Sequence, residues 1–217
     1  MKSPTVPNSS EQESTSEQDQ KAEVFKLAPF NPSSSQIQVK AIELLGLNDE
    51  DVLFDLGCGD GRLLIFAAEN VKGLKCVGIE IDPVFVARGI QRVQALPQEI
   101  RCRVDIREGD VLKLLLDSPN RGSENGEKYK GNSCKSLTLI NDATAVYLFI
   151  LPKGINKIMP LLEALVDKRK QEKRNFRILS YMFKIYEWEP SKVDRTSKGD
   201  CPVYLYEFNF ANSQPFS

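Results

Sequence analysis

The stretch VLFDLGCGDGR, residues 52–62, constrains the fold of this chain more than any other. A short apolar run reaches an aspartate, three glycines follow within five positions, and an apolar run resumes as RLLIFAAENV. The first run reads as a buried strand and the second as a mostly buried helix. A plain corner between them needs one glycine. Three let the backbone turn sharply and leave room for a ligand against the helix N-terminus.

The same alternation repeats. KCVGIEID reads as a second strand, Pro83 suits a first helical turn, VFVARGIQRVQAL continues as helix, and CRVDIREGD is a third strand. Units of about 25 to 30 residues in the order strand, helix, strand predict a parallel α/β sheet with helices on both faces. Order is expected from Val24, with a helix starting at Ser33, Ser34 or Ser35 and presenting Ile37, Ala41, Leu44 and Leu45 on one face. Downstream, a fourth strand is expected at residues 144–149, and a helix over INKIMPLLEALVDKRKQEKR that Pro160 either kinks or splits. FRILSYMF is a fifth strand and PVYLYEFNF a late one, with no clear helix between them. The expected organisation is a polar tail at 1–23, one domain at 24–210 carrying a Ser, Gly, Asn and Lys-rich insertion at about 118–136, and a short tail at 211–217.

Composition narrows the chemistry. With 217 residues, 41% hydrophobic and 27% charged, the chain has the balance of an ordinary globule with one core. A net charge of -1 supplies no field toward nucleic acid or membrane. No apolar run approaches the roughly 18 residues of a membrane helix. Cys58, Cys76, Cys102, Cys134 and Cys201 are scattered and odd in number, which fits a reducing, cytoplasmic or nuclear setting and no cysteine-rich zinc site. There is no histidine, so catalytic triads, histidine-held metals and imidazole acid–base steps are excluded together.

The glycine turn matches neither phosphate fingerprint. Gly57, Gly59 and Gly61 give G-x-G-x-G, Arg62 stands where the dinucleotide motif wants its third glycine, and the G-x-x-x-x-G-K-[ST] loop is absent. Asp55, two residues before the first glycine, would repel a pyrophosphate and suit an ammonium. Glu80 closes the second strand, where an acid grips ribose hydroxyls, and Asp110 follows the third, where an acid accepts from an adenine amino group. Parallel strand ends share one edge, so the three carboxylates are expected in one groove. An acceptor set for an amine, a ribose and an adenine describes S-adenosylmethionine.

In this order and spacing, DLGCGDGR, GIEIDP and REGD resemble the first three motifs of the class I (seven-stranded) S-adenosylmethionine-dependent methyltransferases. FNPSSSQIQVKAIELLGL, ATAVYLFILP and ILSYMF…YEWEP are similar to a smaller group, the protein-lysine methyltransferases acting on the ATP synthase c-subunit and their compact bacterial relatives. The resemblance implies a Rossmann-like fold with a mostly parallel seven-stranded sheet, and an enzyme of the EC 2.1.1 class. It implies that Asp55 and the backbone of Gly57, Cys58 and Gly59 hold the methionine moiety. By the same likeness Glu80 takes the ribose, Ile81 packs on the adenine, Asp110 and the Val111 amide read its edge, and Phe30 and Pro32 close over the cofactor.

At the fourth strand, YLFILP lacks the Asn/Asp-Pro-Pro-aromatic signature of many nucleobase N-methyltransferases. That disfavours a nucleic-acid substrate and permits an apolar channel for a lysine of a protein partner. Phe149, Pro152, Tyr181 and Trp188 are the candidate walls, each with ordinary packing as the competing account. Asn141 and Asp142 are either polar contacts at this edge or a turn, and DKRKQEKR, residues 167–174, is either a docking patch or a solvated helix end. A small-molecule or RNA methyltransferase is the alternative among enzymes, and a cofactor-binding scaffold without turnover the alternative outside them.

Overall fold

In the computed structural model, residues 33–115, 139–195 and 201–211 are described. The expected tail at 1–23, the insertion at 118–136, Phe30, Pro32 and all of the 211–217 tail but Ala211 lie outside them.

Strand β1 (Val52–Leu56) turns through the glycines into helix α2 (Arg62–Asn70). Ahead of it stands α1 (Ser35–Leu45), whose N-cap Ser34 accepts a hydrogen bond from the Ile37 N–H and whose C-cap Gly46 is left-handed at φ 55. Strand β2 (Lys75–Glu80) leads to α3 (Pro83–Gln94), which starts with Asp82 as N-cap and Pro83 in its first turn, as the sequence predicts. A single-turn α4 (Gln98–Arg101), not foreseen, precedes β3 (Val104–Glu108).

The fourth strand, β4, is Ala145–Leu148, one residue shorter at each end than expected. Helix α5 (Pro152–Gln171) is continuous through Pro160. That proline sits on the exposed side of the helix, so its missing N–H and ring disturb solvent-facing backbone and leave the buried stripe intact. Strands β5 (Phe176–Tyr181), β6 (Lys192–Asp194) and β7 (Val203–Phe208) complete the sheet. The short β6 lies inside the segment where the sequence shows no pattern.

The sheet has seven strands in the order β3-β2-β1-β4-β5-β7-β6. The first five are parallel, and β7 runs antiparallel to both β5 and β6. Side chains alternate between two buried layers. Leu53, Cys76, Ile106, Tyr147 and Leu179 pack with α1, α2 and α3, whereas Phe54, Leu56, Ile79, Leu148 and Ile178 pack with α5. The carboxyl ends of β1 to β5 therefore share one edge, with the start of β7 beside Tyr181. No helix among the described residues is long and apolar enough to cross a membrane.

The opposite edge is stapled by arginines donating to main-chain carbonyls. Arg103 bonds Ala68, Val71 and Leu74, at 2.8, 3.1 and 2.9 Å, and Arg169 bonds Ala143 at 2.8 Å. Arg177 reaches Leu45 and Gly46 and pairs with Asp51, which also accepts from the Thr144 hydroxyl at 2.6 Å. One sequence alternative is decided here. Asn141 and Asp142 form a 3-10 turn before β4, at this far edge, with Asp142 accepting from the Leu139 N–H. The basic run closes α5 and continues past it, and Arg169 within it is 1% exposed, a buried staple that belongs to neither a docking patch nor a solvated end.

Candidate functional site

All three glycines of the turn have positive φ, at 91° for Gly57, 55° for Gly59 and 70° for Gly61, so each occupies backbone space that other residues adopt only with strain. Four of the turn's N–H groups are engaged within the protein. Gly57 and Cys58 both donate to the Ile79 carbonyl at 2.9 and 3.1 Å, Gly59 donates to Glu80 Oε2 at 2.8 Å, and Gly61 donates to the Cys58 carbonyl at 3.0 Å. A phosphate seat needs such donors free. Arg62 offers no substitute, because its guanidinium grips Asp60 through two hydrogen bonds of 2.9 and 2.7 Å.

Two acids of this segment have opposite environments. Asp60 is buried, which would raise its carboxyl, but the Arg62 hydrogen bonds and the charges of Arg62 and Arg92 carry it below the ordinary carboxylate value. Asp55 is 4% exposed and accepts no hydrogen bond from any described residue. Burial and then the nearby Glu80 charge hold its carboxyl well above the ordinary value.

Glu80 stands between Asp55 and the outer strand. Its Oε1 accepts from the Ile81 and Asp82 N–H groups, both at 2.9 Å, and its Oε2 from Gly59. Three of about four acceptor sites are used, so the carboxylate is rigidly aimed with one left for a hydroxyl. The Glu80 carbonyl accepts from the Gly109 N–H at 2.9 Å, which brings the segment after β3 alongside. There Asp110 accepts from the Leu112 N–H at 2.9 Å and opens a 3-10 turn in which Val111 is buried. Asp55, Glu80, Ile81, Asp110 and Val111 are thus gathered along one edge. Cys58 faces β2 within the core, and burial followed by the Asp55 charge keeps its thiol protonated.

Of the four wall candidates, two meet. Phe149 and Tyr181 follow β4 and end β5, and their rings lie 4.6 Å apart at 54° on the Asp55 side of the sheet. The turn that seats Tyr181 puts Met182 at φ 69 and ties its N–H to the Pro202 carbonyl at 2.8 Å. Pro152 is half-buried in the first turn of α5. Trp188 is not brought to this pair: it packs edge-on against Tyr206 and Phe208 in the α5 layer. Its loop folds down beside β7, so its indole serves the other core.

No family model matches the chain. A protein-lysine N-methyltransferase of Saccharolobus islandicus is 26% identical over 180 residues, covering 82% of this chain and 92% of that protein. An RNA methyltransferase from Salinibacter ruber, crystallised with S-adenosyl-L-homocysteine, superposes with a TM-score of 0.60 and 25% identity over 86% of this chain and 98% of that one. The chain has the class I S-adenosylmethionine-dependent methyltransferase fold. A tRNA (guanine-N(7)-)-methyltransferase of Helicobacter pylori is 30% identical over 93 residues, 40% of this chain and 22% of that protein.

Sequence reasoning missed three features of this methyltransferase. Asp60 is paired by both Arg62 and Arg92, which the motif alone does not reveal because Arg92 stands in the last turn of α3. Gly78 makes room for the turn: a Cβ there would come within 2.5 Å of Cys58 Sγ and 2.7 Å of Leu64 Cδ1. Tyr147, a phenol inside an apolar strand, lies in register with Asp55 and bonds Ser33 across the fold. A lone hydroxyl in the run AVYLF was the only signal for it.

Proposed function

We propose that this methyltransferase binds S-adenosylmethionine along the edge from Asp55 to Asp110 and methylates a lysine side chain of a protein. The observation that carries the proposal is the Asp55 carboxylate, buried and without a donor among the described residues, while its neighbour Asp60 is already paired. The residues present fit the cofactor. Asp55 would hold the ammonium, the remaining acceptor site of Glu80 a ribose hydroxyl, and Ile81, Val111 and Asp110 the adenine. The paired N–H groups and the Asp60–Arg62 lock fit a ligand that brings no phosphate.

When bound, the cofactor supplies a methyl group made electrophilic by its sulfonium. The protein's work is alignment and exclusion of water. The Phe149–Tyr181 pair supports an apolar approach for an alkyl amine: it desolvates the ε-ammonium, which lowers its pKa and frees the attacking lone pair. No histidine is needed for that step, and none is present. The Saccharolobus relative, similar along nearly its whole length, supports a protein substrate. The Salinibacter structure favours RNA as the second reading.

Radiolabelled S-adenosylmethionine incubated with the protein and a cell extract distinguishes the two. Label lost to protease and resistant to RNase is expected. Label lost to RNase alone overturns the lysine reading, and no detectable heat on titrating the cofactor overturns cofactor binding itself.

A further inference from the structure

Beside Asp55, on the neighbouring strand, Tyr147 forms a buried pair of hydroxyls with Ser33. Tyr147 and Ser33 lie 114 positions apart in sequence, yet their oxygens are 2.7 Å apart. Tyr147 is 1% exposed and Ser33 8%. Ser33 is held firmly: its carbonyl accepts from Gln38 Nε2 at 2.9 Å, and the next residue, Ser34, caps α1. Tyr147 is fixed by β4, directly opposite Asp55 in the parallel register. The phenol also feels the Asp55 carboxylate, which with burial disfavours its ionisation.

Proton counting gives the pair a function. Two hydroxyls carry two protons, and whichever oxygen donates in their mutual hydrogen bond, one O–H remains. Among the described residues neither hydroxyl has another partner, and the only carboxylate in reach is the unpaired Asp55, to which neither hydrogen-bonds. The arrangement places a spare donor beside an acceptor that no described residue fills. It is a complementary one for a zwitterion.

We infer that the Ser33–Tyr147 hydroxyl pair donates to the carboxylate of the cofactor's amino-acid end while Asp55 accepts from its ammonium. This rests on the cofactor reading above. It adds to the glycine turn, where the N–H groups of Gly57, Cys58, Gly59 and Gly61 are engaged and Arg62 is held by Asp60. The two ends of the zwitterion are then met by one neutral donor and a charged acceptor. Ser33 and Tyr147 are positioning residues for the methyl donor, tying the entry of α1 to the pocket's occupancy.

The test compares S-adenosyl-L-homocysteine with its decarboxylated analogue, which keeps the amine, by titration calorimetry. The wild-type protein should prefer the carboxylate-bearing ligand by about tenfold or more, the size of a hydrogen bond to a charged group. The double variant Ser33→Ala, Tyr147→Phe should lose that preference to within about twofold, while the analogue's affinity stays unchanged. Each single variant should retain part of it, and the singles decide the matter if the double variant does not melt cooperatively. A preference kept in the variants, or both ligands weakened alike, overturns the assignment. Wild-type protein binding neither ligand overturns the cofactor reading and this one with it.

Discussion

Asp55 and Asp60 show how one loop can hold two carboxylates in opposite states. Asp60 has two arginines; Asp55 has burial and a like charge. The sign of the pH effect follows. Folded Asp55 titrates above its unfolded value, so the unliganded protein loses stability as pH rises from the ordinary carboxylate range through the raised value. Cofactor binding needs the ionised acid, so affinity strengthens over the same interval. Asp55→Asn should flatten the stability profile, measured as denaturant midpoints against pH. It should also weaken S-adenosylmethionine by about a hundredfold, as expected for loss of a buried charge-assisted contact. A variant that binds at wild-type strength would remove Asp55 from the site. Asp55, Glu80 and Asp110 were legible because strand ends are legible. The Ser33–Tyr147 pair was not, because its partners are joined only by the packing of α1 over the sheet.

The glycine turn is built jointly by β1, which delivers it, and β2, which receives it. Ile79 takes two of its amides, Glu80 takes a third, and Gly78 leaves space for Cys58. Gly78→Ala is expected to push the turn outward. It should cost about 1–3 kcal/mol of unfolding free energy, the range for overpacking a core, together with a loss of cofactor affinity. Denaturant unfolding and a binding titration on the same preparation check both, and wild-type values in each would show that the turn can yield. Strands β1, β2 and β3 were readable as apolar runs closed by glycine or acid. Strand β6 was not: its three residues KVD are mostly solvent-facing and carry no alternation, so only pairing with β7 makes them a strand. Helix α5 defied its proline for the related reason that the buried stripe lies on the other side.

Across the whole molecule, the two edges of the sheet divide the labour. Acids, glycines and the Phe149–Tyr181 pair occupy the carboxyl edge; Arg103, Arg169 and Arg177 clamp main-chain carbonyls at the amino edge. Arg169→Ala would strand buried carbonyls and open a void. It should lower stability by about 3 kcal/mol in denaturant unfolding and leave cofactor affinity within about twofold. A large affinity loss at unchanged stability would show that the edges are coupled. The antiparallel course of β7 has a practical meaning. It enters beside Tyr181 and leaves beside Phe176, and Ala211 is then moored by Asn175, with its N–H 3.1 Å from Oδ1. The chain reaches Ala211 at the arginine edge, so protein immobilised through its C-terminal residues should present the carboxyl edge to a bulky substrate in solution.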